Sequence, residues 1–305
     1  MGRRRKTGRD VNGILLLDKP EGLTSNAALQ QVKRLYGARK AGHTGSLDPI
    51  ATGLLPVCLG EATKMSGFLL NADKGYQVTV SLGVRTTSGD TEGDVVERCA
   101  VPPLKETAIE RVLATFRGPI EQIPPMHSAI KVAGQPLYKL AHQGISVERA
   151  PRSVVIHELT LRDRTGDSLE LGVRCSKGTY IRTLAEDIGN ALGCGAHVSR
   201  LRRTEVAGFF IDAAYTLAQL EAFKAEGGTH AIDTLLLPLD SALNGWPGLS
   251  LSEDLLYYLR RGQAVLVPRA PSQGYVKLYS EREKFIGVGS ILEDGRVAPK
   301  RLLSV

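Results

Sequence analysis

The chain has 305 residues, with 39 Lys and Arg against 32 Asp and Glu, a net charge of +7 and a pI near 9.2. An apolar fraction of 42% beside 23% charged residues supports a sizeable core and excludes a mainly disordered chain, and the length suits one large domain plus a small one, or two of moderate size. The basic excess points to a polyanionic partner, since neutralised phosphates release counterions, although mild positive charge is also ordinary in housekeeping proteins.

The N-terminal stretch holds Arg3, Arg4, Arg5, Lys6 and Arg9, which is either a phosphate-seeking arm or a solvated terminus. Ile14 to Leu17 gives only four apolar residues before Asp18-Lys19-Pro20, so no signal peptide is read. No segment approaches the roughly 20 apolar residues of a membrane span. Thr24-Ser25-Asn26 is an N-cap cluster, and Ala28, Leu29, Val32, Leu35 and Tyr36 follow at helical spacing. Lys33, Arg34, Arg39 and Lys40 gather at the end of that helix, where cations suit its dipole.

Tyr76, Val78, Val80 and Leu82 alternate with polar residues and predict a half-buried strand, followed by a polar loop from Arg85 to Asp94. Ile109, Val112, Leu113 and Phe116 predict an amphipathic helix stopped by Gly118-Pro119. Ile123 through Gly144, rich in Pro, Gly and basic residues, reads as a long excursion from the core. Val154 to Leu161 and Leu169 to Cys175 read as strands around a turn at Thr165-Gly166-Asp167. Leu184, Ile188 and Leu192 form a helix stripe ended by Gly193. After Asn244-Gly-Trp-Pro-Gly248, the stretches Leu255 to Leu259, Ala264 to Val267, Val276 to Leu278 and Phe285 to Val288 read as short strands of a small β-rich domain. The elements mix α and β without the rhythm of a doubly wound fold. Cys58, Cys99, Cys175 and Cys194 are widely spaced, which suits a reducing cytoplasm and small core residues rather than a metal site.

The chemistry should lie at Gly42 to Gly53, where glycines flank His43, Thr44, Ser46, Asp48 and Thr52. Pro49 pushes Asp48 toward an extended or turn conformation, which displays its carboxylate on an irregular loop. The competing reading is that Asp48 caps a helix beginning near Ile50. A nucleophilic carboxylate must stay ionised away from water, and an arginine fork is the fitting partner. Arg182 stands out because it sits at a strand-to-helix junction, although a surface arginine would read the same.

Gly42-His-Thr-Gly-x-Leu-Asp-Pro-x-Ala-Thr-Gly53 resembles the catalytic motif of the TruB family of bacterial pseudouridine synthases, which modify uridine 55 in the T loop of tRNA. Further segments in order are similar to other motifs of that family: Asp18-Lys-Pro-x-Gly-x-Thr-Ser25, Gly60-Glu-Ala-Thr-Lys64, Asp73-Lys-x-Tyr76, Gln122-Ile-Pro-Pro-x-x-Ser-Ala-x-Lys131, Gly134-x-x-Leu-Tyr138, Lys177-Gly-Thr-Tyr-Ile-Arg-Thr-Leu184 and Ala196-His-x-x-x-Leu-Arg-Arg-Thr204. The resemblance covers about residues 11 to 210.

It implies an α+β pseudouridine synthase fold, a mixed or antiparallel sheet flanked by helices and loops. The expected organisation is a basic arm over 1–10, a catalytic domain over 11–248 with an RNA-gripping insertion at about 122–152, and a PUA-like RNA-binding domain over 249–305. It also implies that Asp48 is the nucleophile, that Arg182 pairs with it, and that Tyr76 stacks on the target base and is a candidate for the proton relay. Tyr180 and Leu201 would contact the flipped uridine, and His43 would hold rearranged T-loop bases. Lys19, Pro20, Lys64 and Asp90 would support the site or touch RNA. The partner is tRNA, with no cofactor, metal, membrane or obligate protein partner expected, and a monomer in the cytoplasm. Asp48 would attack either the ribose C1′ or the base C6.

The chain departs from the family pattern at Thr86-Thr87-Ser88, where Thr-Asp-Thr is usual, and at His142, where Arg is common. Both departures fall in expected RNA-contact regions. Two rivals are a relative steered by guide RNA and a non-catalytic tRNA-binding or folding protein. The insertion argues against the first, and the set Asp48, Tyr76 and Arg182 against the second.

Overall fold

The computed structural model describes residues 8–304 except 133 and 142, so Arg3, Arg4, Arg5, Lys6 and His142 lie outside the described residues. β1 (Gly13–Lys19) leads into α1 (Ser25–Leu35), where Thr24 Oγ1 accepts a hydrogen bond from Ala27 N at 3.1 Å. α1 buries Ala28, Leu29 and Val32, the stripe the spacing predicts.

β2 (Ala41–His43) and β3 (Thr52–Leu59) bracket the glycine-bounded loop. No helix begins at Ile50. Ala51 N donates to Asp48 O at 3.1 Å and the chain turns straight into β3, so the helix-cap reading of Asp48 is corrected. The apolar run Leu54-Leu55-Pro56-Val57 is a strand buried on both faces, which removes the alternation that would have marked it.

α2 (Ser66–Leu70) precedes β4 (Lys74–Leu82), the strand that carries Tyr76. The polar loop expected after it lies largely within a hairpin of β5 (Val84–Thr86) and β6 (Val95–Arg98). α3 (Glu106–Thr115) and β7 (Gly118–Gln122) follow. The excursion holds β8 (Lys131–Val132), β9 (Gln135–Pro136) and α4 (Leu137–Ala141). β10 (Arg152–Thr165) then returns antiparallel to β7 with Arg152 opposite Gln122, which closes the excursion at its root. β11 (Ser168–Cys175), α5 (Ile181–Ala191), β12 (Ala196–Val206), β13 (Phe209–Phe210) and α6 (Leu217–Asp233) complete this part.

Among the described residues nine strands form one sheet in the order β1-β3-β12-β4-β11-β10-β7, with β2 added to β3 and β13 to β12. Every pairing is antiparallel except β12 with β3, so the sheet is mixed and the fold is α+β. One face packs Tyr76, Val78, Val80 and Leu201 against α3 and α5, and another core joins β1 and β3 to α1 and α6.

A second, four-stranded sheet contains β14 (Gly248–Leu251), β15 (Tyr275–Ser280), β16 (Phe285–Ile291) and β17 (Val297–Leu302). Leu255 to Leu259 is not a strand. It lies in α7 (Glu253–Arg260), which Ser252 caps and which buries Leu256 and Leu259 three residues apart on one face. Ala264 to Val267 contributes a single bridge, Val265 to Val297. This sheet docks on the larger one: Val288 shares a core with Ile14, Leu54 and Cys58, and Trp246 joins Phe68 to Tyr275.

Candidate active site

The loop between β2 and β3 places Asp48 over the Tyr76 face of the sheet, with Leu47 and Ala51 packed into the core beneath it. Gly53 makes this descent possible. Its φ is +101°, and a Cβ there would stand 2.3 Å from the carbonyl oxygen of Arg203.

Arg182 is the second residue of α5, and its guanidinium is directed at the loop. Its Nε lies 3.0 Å from Asp48 Oδ2, and its Nη1 lies 3.5 Å from Asp90 Oδ2. Nη1 also donates to Ser88 O and Nη2 to His127 O, each at 2.8 Å. A guanidinium held at so many points has little freedom, so the carboxylate it grips is held as well. Desolvation holds the Asp48 carboxyl above the ordinary carboxylate range; Arg182 and Lys19 oppose this, and Asp90 adds to it. The Asp48 side chain nevertheless keeps 40% of its surface open.

Tyr76 is 9% exposed, on the same sheet face as Val78 and opposite Leu201's strand. Burial pushes its phenol up to about 12, and Arg203 works against that shift. Leu201 sits opposite Val78 on β12, adjacent to the Tyr76 position in the alternation. Tyr180 caps α5 half-buried, and the Gln122 side chain clamps its peptide: Tyr180 N donates to Gln122 Oε1 at 3.0 Å and Gln122 Nε2 donates to Tyr180 O at 3.3 Å. His43 ends β2 with a lowered pKa, because burial and then Arg203 disfavour its cation. Its Nδ1 is buried without a hydrogen-bond partner among the described residues.

The remaining expected site residues sit differently. Asp90 is 2% exposed, and its carboxylate accepts from Ser88 Oγ and Glu92 N while facing Arg182. Its geometry fits holding Arg182, and a group so enclosed has no surface for RNA. Lys19 is fully buried. Its Nζ donates to the carbonyls of Pro20, Leu23 and Pro49, which ties the residue after Asp48 to β1. Burial brings that ammonium down to about 8. Pro20 is exposed beside it. Lys64 pairs with Glu61 at 2.6 Å and donates to Leu302 O and Ser304 Oγ, so it fastens the chain end to the catalytic sheet.

Sequence reasoning gave Gln122 and Arg203 no individual role, although both sit inside quoted motifs. For Arg203 a signal existed: once 196–206 is a strand, Leu201 and Arg203 must share a face.

Solved structures with the same fold include one described as "Crystal Structure of a Cbf5-Nop10-Gar1 Complex", with a TM-score of 0.71 and 26% identity over 96% of this chain and 83% of that one. Another, "Structure of H/ACA RNP bound to a substrate RNA containing 2'-deoxyuridine", has a TM-score of 0.73 at 24% identity over 100% of this chain and 92% of that one, and at that identity speaks to the fold alone. The mixed sheet with its second, smaller sheet is the fold of a pseudouridine synthase.

The family follows from sequence. Residues 33–181 match "TruB family pseudouridylate synthase (N terminal domain)", residues 182–244 "tRNA pseudouridylate synthase B C-terminal domain" and residues 247–303 "Pseudouridine synthase II TruB, C-terminal". The tRNA pseudouridine synthase B of Coxiella burnetii is 57% identical, covering 97% of this chain and 96% of its own length. That of Nitrosococcus oceani is 58% identical over 98% and 97%, and that of Stutzerimonas stutzeri 55% over 99% of each. The chain belongs to the TruB family of pseudouridine synthases.

Proposed function

We propose that this enzyme isomerises uridine to pseudouridine at position 55 in the T loop of tRNA, with Asp48 as the reacting carboxylate. The observation that carries this reading is the Asp48–Arg182 pair, a partly open carboxylate fixed by a buried guanidinium on a loop that is not a helix cap. The shared names of relatives matching nearly the whole chain support tRNA as the substrate.

Pseudouridylation detaches uracil from its sugar, turns it and rejoins it through carbon. The oxidation state is unchanged and no group enters or leaves, so side chains can supply the chemistry. The target base must first leave the stack, which costs a few kcal/mol. Tyr76 and Leu201 provide an aromatic and an aliphatic surface for the flipped base, with Tyr180 at its edge. The partly exposed His43 ring, at the end of β2, holds the rearranged T-loop bases. Asp48 acts at C1′ or at C6, Arg182 keeps it ionised and aimed, and the proton leaving C5 passes to Tyr76 or water. Lys19 and Asp90 support this constellation from below, holding the Asp48–Pro49 turn and Arg182 respectively. The excursion between β7 and β10 is the natural grip on the T arm, the second sheet an additional RNA contact, and the enzyme acts as a cytoplasmic monomer.

The test is pseudouridine mapping on tRNA incubated with the purified protein. A single new pseudouridine in the T loop, absent with Asp48→Asn, is the expected result. Modification by Asp48→Asn at an appreciable rate would overturn the role of Asp48, and product only in the presence of a guide RNA would favour the other reading.

A further inference from the structure

Arg203 is a buried cation that the reaction as described above leaves unused. It is 1% exposed, the largest fully buried side chain among the described residues. Among the described residues no carboxylate partners it. Its Nε donates to Leu54 O at 2.7 Å and its Nη2 to Gly45 O at 3.2 Å, and it lies across from Tyr76 on the neighbouring strand. Strand register sets that placement: Arg203 on β12 lies directly opposite Tyr76 on β4, as Leu201 lies opposite Val78. Side chains paired this way stand within reach on the same face.

We propose that Arg203 is a positioning residue for Tyr76: it fixes the phenol oxygen by donating to it, and its unneutralised charge stabilises the phenolate that takes the proton from C5. The inference rests on the pseudouridylation reading. Once C5 has bonded to C1′, the C5–H bond breaks and its electron pair restores the C5=C6 double bond. The pair this displaces at C6 passes to N1, which takes a proton from solvent, or leaves with the Asp48 carboxylate if that group is bonded to C6. The C5 proton moves to a Tyr76 oxygen that has released its own hydrogen to solvent. One lone pair of the phenolate oxygen is engaged by Arg203, which leaves the others to meet the C5 hydrogen of the base.

The surroundings suit this role. A buried guanidinium without a carboxylate is costly unless something anionic appears beside it. Here the anion is transient. The other ionisable groups facing the pair are Lys74 and His43, which oppose a cation at Arg203, and Asp48 and Cys175, which oppose an anion at Tyr76. Lys19 also feels the Arg203 charge. Among the described residues Arg203 is the one of these cations directly opposite Tyr76 in the strand register. The same guanidinium holds the Gly45 carbonyl, so it couples the base to the loop that carries Asp48.

The experiment measures single-turnover pseudouridine formation on tRNA carrying either hydrogen or deuterium at C5 of the target uridine. Native enzyme is compared with Arg203→Lys, Arg203→Met, Tyr76→Phe and the double variant Tyr76→Phe with Arg203→Met. Thermal melting follows the fold and equilibrium binding the tRNA affinity. We expect Arg203→Met to slow turnover about 10²-fold, the low end for general acid–base assistance, with tRNA affinity nearly unchanged. The deuterium isotope effect rises as C5 deprotonation becomes limiting, Arg203→Lys recovers part of the rate, and Arg203→Met adds little once Tyr76 is Phe. Rate losses that multiply in the double variant, or a slow variant with an unchanged isotope effect, would overturn the proposal. So would unfolding of both single Arg203 variants, which assigns the residue to the fold. Failure of native enzyme to form pseudouridine would instead sink the underlying reading.

Discussion

Arg182 stands between two carboxylates, with Nε 3.0 Å from Asp48 Oδ2 and Nη1 3.5 Å from Asp90 Oδ2. The two acids therefore compete for one cation. Asp90 is enclosed and poorly screened, so its charge adds to the desolvation that raises the Asp48 pKa, while Arg182 lowers it. The balance leaves Asp48 above the ordinary carboxylate range, and an enzyme that needs the ionised form loses rate as pH falls through that raised value.

Asp90→Asn removes one negative neighbour, so the Asp48 pKa falls and the acid limb of the rate profile moves to lower pH. The plateau should also drop, by about tenfold, because Arg182 loses a partner that fixes its orientation. Single-turnover rates across the acid range check both effects. An acid limb that stays in place or moves upward contradicts this electrostatic account.

Gly53→Ala tests the descent of the loop. The backbone there has φ +101°, and the new Cβ would meet Arg203 O at 2.3 Å. Strain and overlap with backbone together should cost about 3 kcal/mol or more. Denaturant unfolding reads the cost directly. A variant of native stability would mean that the β3–β12 approach is looser than these distances require.

Much of this arrangement was legible in the sequence, and the exceptions have physical causes. α1, β4, α3, β10, β11 and α5 follow from period and caps, because each has one buried face. β3 and β12 lack that signature. β3 is apolar on both faces, and β12 carries seven charged or polar residues among its eleven, one of them Arg203 on the buried face. Leu255 to Leu259 looked like a strand because a five-residue apolar and aromatic run has no decisive period. Ser252, the cap three residues earlier, was the missed cue. At the site, Asp48, Tyr76 and Arg182 were readable from motifs. The supporting contacts of Lys19, Asp90 and Gln122 depend on loops folding back over long sequence distances, which spacing does not encode.

Lys19→Met probes the support beneath the Asp48–Pro49 turn. The substitution leaves the carbonyls of Pro20, Leu23 and Pro49 without their shared donor, at a cost of about 2 kcal/mol after the relief of a buried charge. The pH dependence separates these terms. Burial lowers the Lys19 ammonium from 10.5 to about 8, so between these values the unfolded chain binds a proton that the folded chain does not. This group's contribution to stability therefore increases as pH rises from about 8 to 10.5 and is flat below 8. Lys74, also lowered to about 8, contributes in the same sense. Melting temperatures of native and variant protein across that window should converge or diverge accordingly: the native enzyme gains stability with pH relative to Lys19→Met, and a constant difference contradicts the assignment.

Trp246→Ala examines whether the second sheet is an independent appendage. The indole stacks on Tyr275 with ring centroids 5.2 Å apart and meets Phe68 edge-on at 5.1 Å, while Val288 and Leu303 pack into the same core as Ile14 and Leu54. A sheet joined through such a core shares its stability with the catalytic part. Because Trp246 is only half-buried, its removal should cost about 2 kcal/mol, less than a fully enclosed Trp. We expect one unfolding transition at lower temperature for this variant, with tRNA affinity preserved well below it. Two separated transitions would mean that the sheets unfold independently, and removing 248–305 would then test RNA contact cleanly. With a single transition, truncation would strip apolar cover from β1 and β3, and lost tRNA binding would report damage to the catalytic sheet rather than a missing RNA contact.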